Sequence, residues 1–120
     1  MPTTVLIVDD HPGFRRAART LLEAEGYAVA GESATGGEAL EAAARLDPNV
    51  VLLDIGLPDL DGVEVSARLT RDDPSRAVVL TSTRDAAECD PLVKSCGARG
   101  FIPKSELSGA ALAEAAMARD

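Results

Sequence analysis

Acidic side chains follow two apolar segments of this 120-residue chain, and a lysine ends a third such segment. Asp9 and Asp10 come directly after the first apolar run, Asp54 follows a later run, and Lys104 closes a short run near the end. Segments that are apolar throughout are typical of strands buried on both faces of a parallel sheet. Ligands bind such sheets beyond the carboxyl ends of the strands. We therefore expect these four side chains to meet at one edge of a sheet.

Three neighbouring carboxylates repel one another strongly in a low dielectric unless a cation joins them. Because carboxylates offer only oxygen, the preferred ion is a hard one, Mg²⁺ or Mn²⁺. We expect Asp10 and Asp54 to bind this ion directly and Asp9 to hold a metal-bound water. The backbone carbonyl of Gly56 is expected to add a further ligand.

A carboxylate beside Mg²⁺ can attack a phosphoryl group and form an acyl phosphate. Asp54 is the predicted nucleophile, and Lys104 supplies a positive charge for a phosphoryl oxygen. The alternative is that Asp9 and Asp10 only cap the helix that follows them. Two adjacent caps are redundant, however, and capping leaves Lys104 unexplained, so we favour the phosphoacceptor interpretation.

Hydroxyl and ring side chains surround the predicted site. Thr81 and Ser82 end the fourth apolar run, where a hydroxyl can donate to an anion on the nucleophile or satisfy the local backbone. Phe101, on the last apolar run, is expected either to pack in the core or to change rotamer with the state of the site. His11, the single histidine, is expected to flank the pocket rather than to bind metal.

Composition narrows the class of protein. Hydrophobic residues make up 46% of the chain and aromatic residues only 2%, so the core must consist mainly of Val, Leu, Ile and Ala. The net charge of −8 argues against nucleic-acid binding by this chain itself. The sequence contains no apolar run long enough to span a bilayer and no signal peptide, so we expect a cytoplasmic protein without membrane contact.

Cys89 and Cys96 are expected to be core thiols, because seven residues of helix separate them by roughly 10 Å, beyond disulfide reach.

Strand-like and helix-like segments alternate along the whole chain, which predicts an α/β fold with a parallel sheet. The length suits one domain, and we expect residues 1–120 to form it without an output domain. Thr35 and Glu38 are expected to form a capping box, and Ser105 or Ser108 to cap the last helix. The expected strands are 5–8, 27–31, 50–53, 77–82 and 100–103, and the expected helices are 12–25, 36–47, 63–70, 86–96 and 107–117.

Four motifs, in this order, resemble the receiver domain of bacterial two-component response regulators. The resemblance covers residues 5–117 and rests on VDDH at 8–11, LDIGLPDLDG at 53–62, a hydroxyl residue after VVL at 78–80, and GARGFIPK at 97–104. The DDHP start and the Ser105 that follows Lys104 are most similar to the NarL/LuxR branch, whose members usually carry a helix-turn-helix DNA-binding domain.

The resemblance implies a flavodoxin-like (CheY-like) doubly wound sheet of five parallel strands, in the order 2-1-3-4-5, with five helices. It implies Mg²⁺-dependent phosphotransfer to Asp54 from a histidine kinase, a phosphotransfer protein or a small phosphodonor. Such a domain catalyses its own phosphorylation and dephosphorylation and is not a conventional multiple-turnover enzyme. The hydroxyl role falls on Ser82, with Thr81 as the fallback, and Phe101 takes the place of the switch aromatic.

The resemblance also implies that phosphorylation changes the surface formed by the fourth helix, the fifth strand and the fifth helix. An output domain, a partner or a second copy of the chain is expected to dock there, with transcription regulation as the expected output.

Two other functions stay open. Residues 59–63, DLDGV, spell the short motif of haloacid dehalogenase-like phosphatases, which use an Asp nucleophile and Mg²⁺. That motif should follow a buried strand directly, whereas Gly56 and Pro58 intervene here, so we rank this function lower. The third function is a receiver-like scaffold that binds partners without phosphorylation. Against it, every acidic and basic position of the predicted site is filled.

Overall fold

Five parallel strands form one sheet in the order β2-β1-β3-β4-β5, the order that the resemblance implies. The computed structural model describes residues 2–82 and 96–117 of the chain. Val8 pairs with Leu53 and Asp54 pairs with Thr81, so the carboxyl ends of the three central strands lie side by side. The strands are β1 (Thr4–Val8), β2 (Ala28–Ser33), β3 (Val50–Asp54), β4 (Ala77–Ser82) and β5 (Gly100–Pro103).

Four α-helices accompany the strands within the described residues: α1 (Pro12–Ala24), α2 (Gly36–Leu46), α3 (Gly62–Asp72) and α4 (Gly109–Met117). The predicted helix 86–96 and Cys89 lie outside the described residues, except for Cys96, which is buried as expected. The helix labelled α4 is therefore the one that the sequence predicts as the fifth. No helix in the described part of the chain has the length and apolar character needed to cross a bilayer.

Each face of the sheet buries one apolar cluster, because successive residues of a strand point to opposite faces. The largest fully buried side chains are all Leu, Ile or Val, which confirms the expected aliphatic core. One cluster, packed with α2 and α3, includes Leu6, Val8, Val51, Leu53, Val78 and Leu80. The other, packed with α1 and α4, includes Val5, Ile7, Leu52, Val79 and Ile102.

The edge strand β2 runs further than its apolar pattern predicts. It ends at Ser33 instead of residue 31, because its backbone keeps pairing with β1 although its last side chains are polar. A bulge contributes to the shift: Val29 pairs with Val5 but Gly31 pairs with Leu6. Glu32 is exposed and Ser33 is buried, yet both pair with β1 through their backbones, so side-chain polarity does not mark the end of pairing there.

The start of α4 also differs from the prediction. Lys104–Glu106 form a 3-10 turn, and the helix begins at Gly109 rather than at residue 107. Ser108 is its cap, because the Ser108 hydroxyl oxygen accepts a hydrogen bond from the Ala111 amide at 3.0 Å. Ser105, the other predicted cap, lies within the 3-10 turn.

Candidate acidic metal site

Carboxylates from two strand ends converge at the carboxyl edge of the sheet. One potential ligand atom from each of Asp9, Asp10, His11 and Asp54 lies within 4.8 Å of the others. Asp9 is fully buried, Asp54 is 5% exposed, and the Asp10 side chain is a third exposed. The site is therefore open to solvent on the Asp10 side and closed on the Asp9 side.

Asp9 organises the loop that follows β1. Its Oδ1 accepts a hydrogen bond from the His11 amide at 2.9 Å, and its Oδ2 lies 2.7 Å from the Lys104 ammonium. Its backbone carbonyl accepts a hydrogen bond from the Arg15 guanidinium at 2.6 Å. The N-cap of α1 is His11, and no side chain caps that helix. The alternative that Asp9 and Asp10 serve as caps is therefore wrong.

The electrostatics of Asp54 are unfavourable to its charged form. Burial raises the pKa of Asp54, and the neighbouring charges of Asp9 and Asp10 raise it further. The hydrogen bond that the Gly56 amide donates to Asp54 Oδ1 at 3.2 Å, together with the charge of Lys104, lowers this pKa but does not cancel the rise. A cation bound at this position would therefore stabilise the charged form of Asp54.

Lys104 reaches the acidic cluster from the end of β5. Its Nζ lies 3.6 Å from Asp54 Oδ2, in addition to its close contact with Asp9. The Lys104 side chain is 14% exposed, and its Nζ lies 4.8 Å from the centre of the Phe14 ring. Phe14 lies on the apolar face of α1, which packs against the sheet. Helical periodicity identifies an apolar face, but no sequence signal places one of its rings beside a particular charge.

Both candidate hydroxyls lie at the end of β4. Thr81 is fully buried and pairs with Asp54, whereas Ser82 pairs with Pro103, one residue closer to the end of the strand. Thr81 Oγ1 has no hydrogen-bond partner among the described residues. Ser82 is also buried. The structure brings both hydroxyls to the edge that carries Asp54, and the assignment of the switch role to one of them stays a prediction.

His11 and Phe101 border the cluster on different sides. The His11 side chain is 69% exposed, and its Nδ1 lies 3.1 Å from Asp9 Oδ1 and 3.0 Å from Asp10 Oδ1. His11 thus flanks the pocket, and its ring nitrogen is closer to the carboxylates than the sequence suggested. Phe101 is half-buried on β5 and packs against the cluster that includes Leu80.

The loop from Ile55 to Gly62 closes on itself beside Asp54. The Gly62 amide donates to the Ile55 carbonyl at 3.1 Å. A Cβ at Gly62 would lie 2.6 Å from Ile55 Cα and 2.8 Å from the Asp54 carbonyl oxygen, so only glycine fits this position. The loop is therefore folded tightly enough to hold Gly56 next to the nucleophile.

Two further carboxylates in this loop bind backbone amides and lie outside the cluster. Asp59 accepts hydrogen bonds from the Gly36 and Gly37 amides at 2.7 and 3.0 Å, at the start of α2. Asp61 caps α3 by accepting from the Val63 amide at 2.9 Å. Both acids of the phosphatase-like motif thus accept hydrogen bonds from amides at the start of a helix, which weighs against that function. Sequence reasoning missed the role of Asp59, because its partners are 22 and 23 residues away.

The donor set fits a hard divalent cation. Asp9, Asp10 and Asp54 bring three carboxylates together, and within the described residues the ammonium of Lys104 balances their charge only in part. Asp10 Oδ1 is buried and makes no conventional hydrogen bond in this part of the chain, although His11 Nδ1 lies 3.0 Å away. Oxygen-rich sites of this kind suit Mg²⁺ or Mn²⁺.

Comparisons with known proteins agree on one family. The sequence model of the response regulator receiver domain matches residues 5–116. The virulence factors putative positive transcription regulator BvgA of Bordetella pertussis is 46% identical over 107 residues, which make up 88% of this chain and 51% of that protein. A putative transcriptional regulator of Pseudomonas aeruginosa is 42% identical over 102 residues, or 85% of this chain and 49% of that protein. The chain thus spans about half the length of these curated relatives.

A solved structure extends the agreement to the fold. The signal receiver domain of the putative response regulator NarL from Mycobacterium tuberculosis is 31% identical and superposes with a TM-score of 0.87, covering 98% of each chain.

Proposed function

The chain belongs to the response regulator receiver domain family of two-component systems, and from this we propose that Asp54 accepts a phosphoryl group in a Mg²⁺-dependent reaction. The observation that carries the proposal is the meeting of three carboxylates and Lys104 at one edge of the sheet, with Asp54 paired to none of them at hydrogen-bond distance. We further propose that the module is a signalling switch that catalyses its own phosphorylation and dephosphorylation, rather than a conventional enzyme.

In the proposed reaction a carboxylate oxygen of Asp54 attacks the phosphorus of a phosphohistidine on a partner kinase. An O–P bond forms at Asp54 while the N–P bond of the donor breaks, and the leaving imidazole nitrogen keeps the electron pair and takes a proton from solvent. Asp10, Asp54 and the Gly56 carbonyl would hold Mg²⁺, and Asp9 would hold a water bound to it; the ion would supply positive charge for the phosphoryl oxygens. Lys104 contacts a further phosphoryl oxygen from the other side.

Phosphorylation adds negative charge at the end of β3, and we propose that this charge draws a β4 hydroxyl inward. Ser82 is the first candidate and Thr81 the fallback. Phe101 borders an open groove of about 340 Å³ that also touches α4, and we propose that its ring changes rotamer in response to this charge. The surface of β5, α4 and the predicted helix 86–96 would then present a different shape to an output domain, a partner or a second copy. Because the Bordetella pertussis and Pseudomonas aeruginosa relatives are described as putative transcription regulators, we propose transcription regulation as the output.

Intact-mass analysis after incubation with acetyl phosphate and Mg²⁺ tests the phosphoacceptor. We expect one phosphoryl group on the wild-type chain and none on Asp54→Asn. Asp59→Asn is the matched control, because it makes the same change five residues along the chain, at an exposed carboxylate that accepts hydrogen bonds from the Gly36 and Gly37 amides. A phosphoryl group that persists in Asp54→Asn would refute the proposal, as would a wild-type chain that is not labelled.

The choice of hydroxyl is tested on the phosphorylated protein. We expect Ser82→Ala to accept the phosphoryl group but to lose the chemical-shift changes on β5 and α4 that wild type shows in NMR spectra. Thr81→Val, which is nearly isosteric, should keep these changes. The reverse result would move the role to Thr81.

The phosphatase function is tested with a generic phosphate ester such as p-nitrophenyl phosphate. We expect single labelling by acetyl phosphate and no sustained ester hydrolysis. Steady turnover that Asp54→Asn abolishes would replace the switch with the phosphatase.

A further inference from the structure

The Lys104 ammonium has an aromatic neighbour in addition to its carboxylate neighbours. Its Nζ lies 4.8 Å from the centre of the Phe14 ring, 2.7 Å from Asp9 Oδ2 and 3.6 Å from Asp54 Oδ2. A cation within about 6 Å of a ring centroid is attracted to the negative face of the ring, and the attraction grows when water is excluded. With its side chain only 14% exposed, Lys104 meets this condition.

We propose that Phe14 is a positioning residue that holds the Lys104 ammonium at the phosphoacceptor. This inference rests on the proposed function, since it concerns how Lys104 meets a phosphoryl group on Asp54. Phe14 acts through Lys104 and does not itself touch the phosphoryl group.

The location of Phe14 suits this role. It lies in the first turns of α1, whose start is set by Pro12, and its ring packs against the cluster that includes Ile7 and Leu52. The ring is therefore fixed by the core, whereas a lysine has four rotatable bonds and about 2 kcal/mol of rotamer entropy to lose when its head is fixed. Contact with an ordered ring restricts the rotamers that Lys104 adopts. The ring carries no negative charge, so it does not compete with a phosphoryl oxygen for the ammonium.

A carboxylate in place of Phe14 would hold the ammonium too, but it would also repel an incoming phosphoryl group. An aromatic face attracts the cation without carrying a net charge. Lys104 can therefore leave Asp9 for a phosphoryl oxygen while it keeps contact with Phe14. The position thus favours an aromatic side chain over both an aliphatic and an acidic one.

The proposal predicts a selective effect on two ligands of the same site. Lys104 would bind the phosphoryl group, but it would compete with a metal ion for the carboxylates of Asp9 and Asp54. Weakening the ring contact should lower the affinity for beryllofluoride, a phosphoryl mimic, in the presence of saturating Mg²⁺. The affinity for Mg²⁺ alone should stay the same or rise. General damage to the fold would lower both affinities.

The decisive experiment introduces 4-fluoro-, 3,5-difluoro- and 3,4,5-trifluorophenylalanine at position 14 of the full chain. Fluorine withdraws electron density from the ring face with little change of size. We expect beryllofluoride affinity to fall stepwise with the number of fluorines, reaching a loss of about fivefold in the trifluoro variant and in Phe14→Leu. Mg²⁺ affinity, measured calorimetrically without beryllofluoride, should not fall.

Leu21→Ala is the matched control, because Leu21 is another half-buried apolar residue of α1 that packs against the same cluster. It should leave beryllofluoride affinity unchanged. In wild type the ε-methylene protons of Lys104 should show an upfield ring-current shift that Phe14→Leu removes.

Equal beryllofluoride affinity across the fluorinated series would overturn the role of Phe14, as would a parallel fall in Mg²⁺ affinity. These results are separate from failure of the proposed function. In that case wild type itself would bind no beryllofluoride and take no phosphoryl group from acetyl phosphate.

Discussion

Asp54, the last residue of β3, and Asp59, in the loop that follows, lie five residues apart, yet their surroundings are opposite. Asp54 is buried among other acids, and burial raises its pKa. Asp59 is exposed, and hydrogen bonds from the Gly36 and Gly37 amides lower its pKa. The surroundings thus destabilise the charged carboxylate at Asp54, whereas amides at the start of α2 stabilise it at Asp59.

The contrast shows that the donors facing a carboxylate decide its chemistry, rather than its residue type or its motif. A carboxylate whose oxygens are taken up by two amides has little left to offer a metal or a phosphorus atom. Asp54 has one amide donor, from Gly56, and a lysine at 3.6 Å. Burial and the neighbouring acids destabilise the charged form of Asp54. A bound cation, or removal of the charge by substitution, would relieve this destabilisation.

Addition of Mg²⁺ should give the largest effect. At a free concentration about 100 times the dissociation constant, binding to the folded state raises the free energy of unfolding by about 2.7 kcal/mol. We expect this gain in wild type and in Asp59→Asn, and most of it should disappear in Asp54→Asn. Urea unfolding with and without MgCl₂, with ionic strength matched by NaCl, measures it. An equal gain in Asp54→Asn would place the ion elsewhere.

Gly62→Ala should be next in size, because Gly62 closes the loop that follows Asp54 and carries Asp59. The added Cβ would lie 2.6 Å from Ile55 Cα, a backbone atom that cannot turn away. We expect a loss of about 2 kcal/mol in the free energy of unfolding. Gly56→Ala is the control, since its Cβ would meet only Asp54 Oδ1, at 3.9 Å. Similar losses in both variants would show that the clash at Gly62 is relieved by movement.

Removal of single carboxylates should change stability in opposite directions. Asp61→Ala removes the N-cap of α3 and should cost about 1 kcal/mol. Asp54→Asn removes a buried charge next to Asp9 and should stabilise the protein in Mg²⁺-free buffer at neutral pH. Thermal unfolding in the presence of EDTA compares the two. Destabilisation by Asp54→Asn would mean that the ion pair with Lys104 outweighs burial and repulsion.

The pH dependence of these differences should be the smallest effect. Because the folded-state pKa of Asp54 is raised, its ionisation destabilises the fold, and this penalty vanishes as pH falls through that pKa. The advantage of Asp54→Asn should therefore shrink at acid pH. The pKa of Asp59 is lowered, so its stabilisation persists above the unfolded-state value and is lost only as pH falls through the folded-state value. Parallel pH profiles for Asp54→Asn and Asp59→Asn would contradict the assigned shifts.

The strand pattern and the site motifs could be predicted because they depend on local sequence. Continuous apolar runs predicted β3 and β4 nearly residue by residue, and β4 spans 77–82 as expected. The half of the capping box in which Thr35 accepts the Glu38 amide, at 3.1 Å, is also present. The other half differs, because the Glu38 carboxylate accepts from the Ala34 amide rather than from Thr35.

Other features depend on contacts between distant segments. Where β2 ends is decided by its pairing with β1, and a polar Ser33 gives no sign of that. The start of α4 is decided by a 3-10 turn after Lys104, which no periodicity announces.

The order of strands and helices, the aliphatic core and the four charged residues at the strand ends could be predicted from the sequence. They follow from the pattern of apolar residues and from the parallel direction of the strands, which brings their carboxyl ends to one edge. Three contacts follow instead from the packing of distant segments: Asp59 accepts from the first amides of α2, Phe14 faces the Lys104 ammonium, and Asp9 is the closer carboxylate partner of that lysine. Those contacts join residues 22 to 95 positions apart. Their energies depend on distances of a few ångströms, which the packing of helices on the sheet sets and which a linear pattern does not encode.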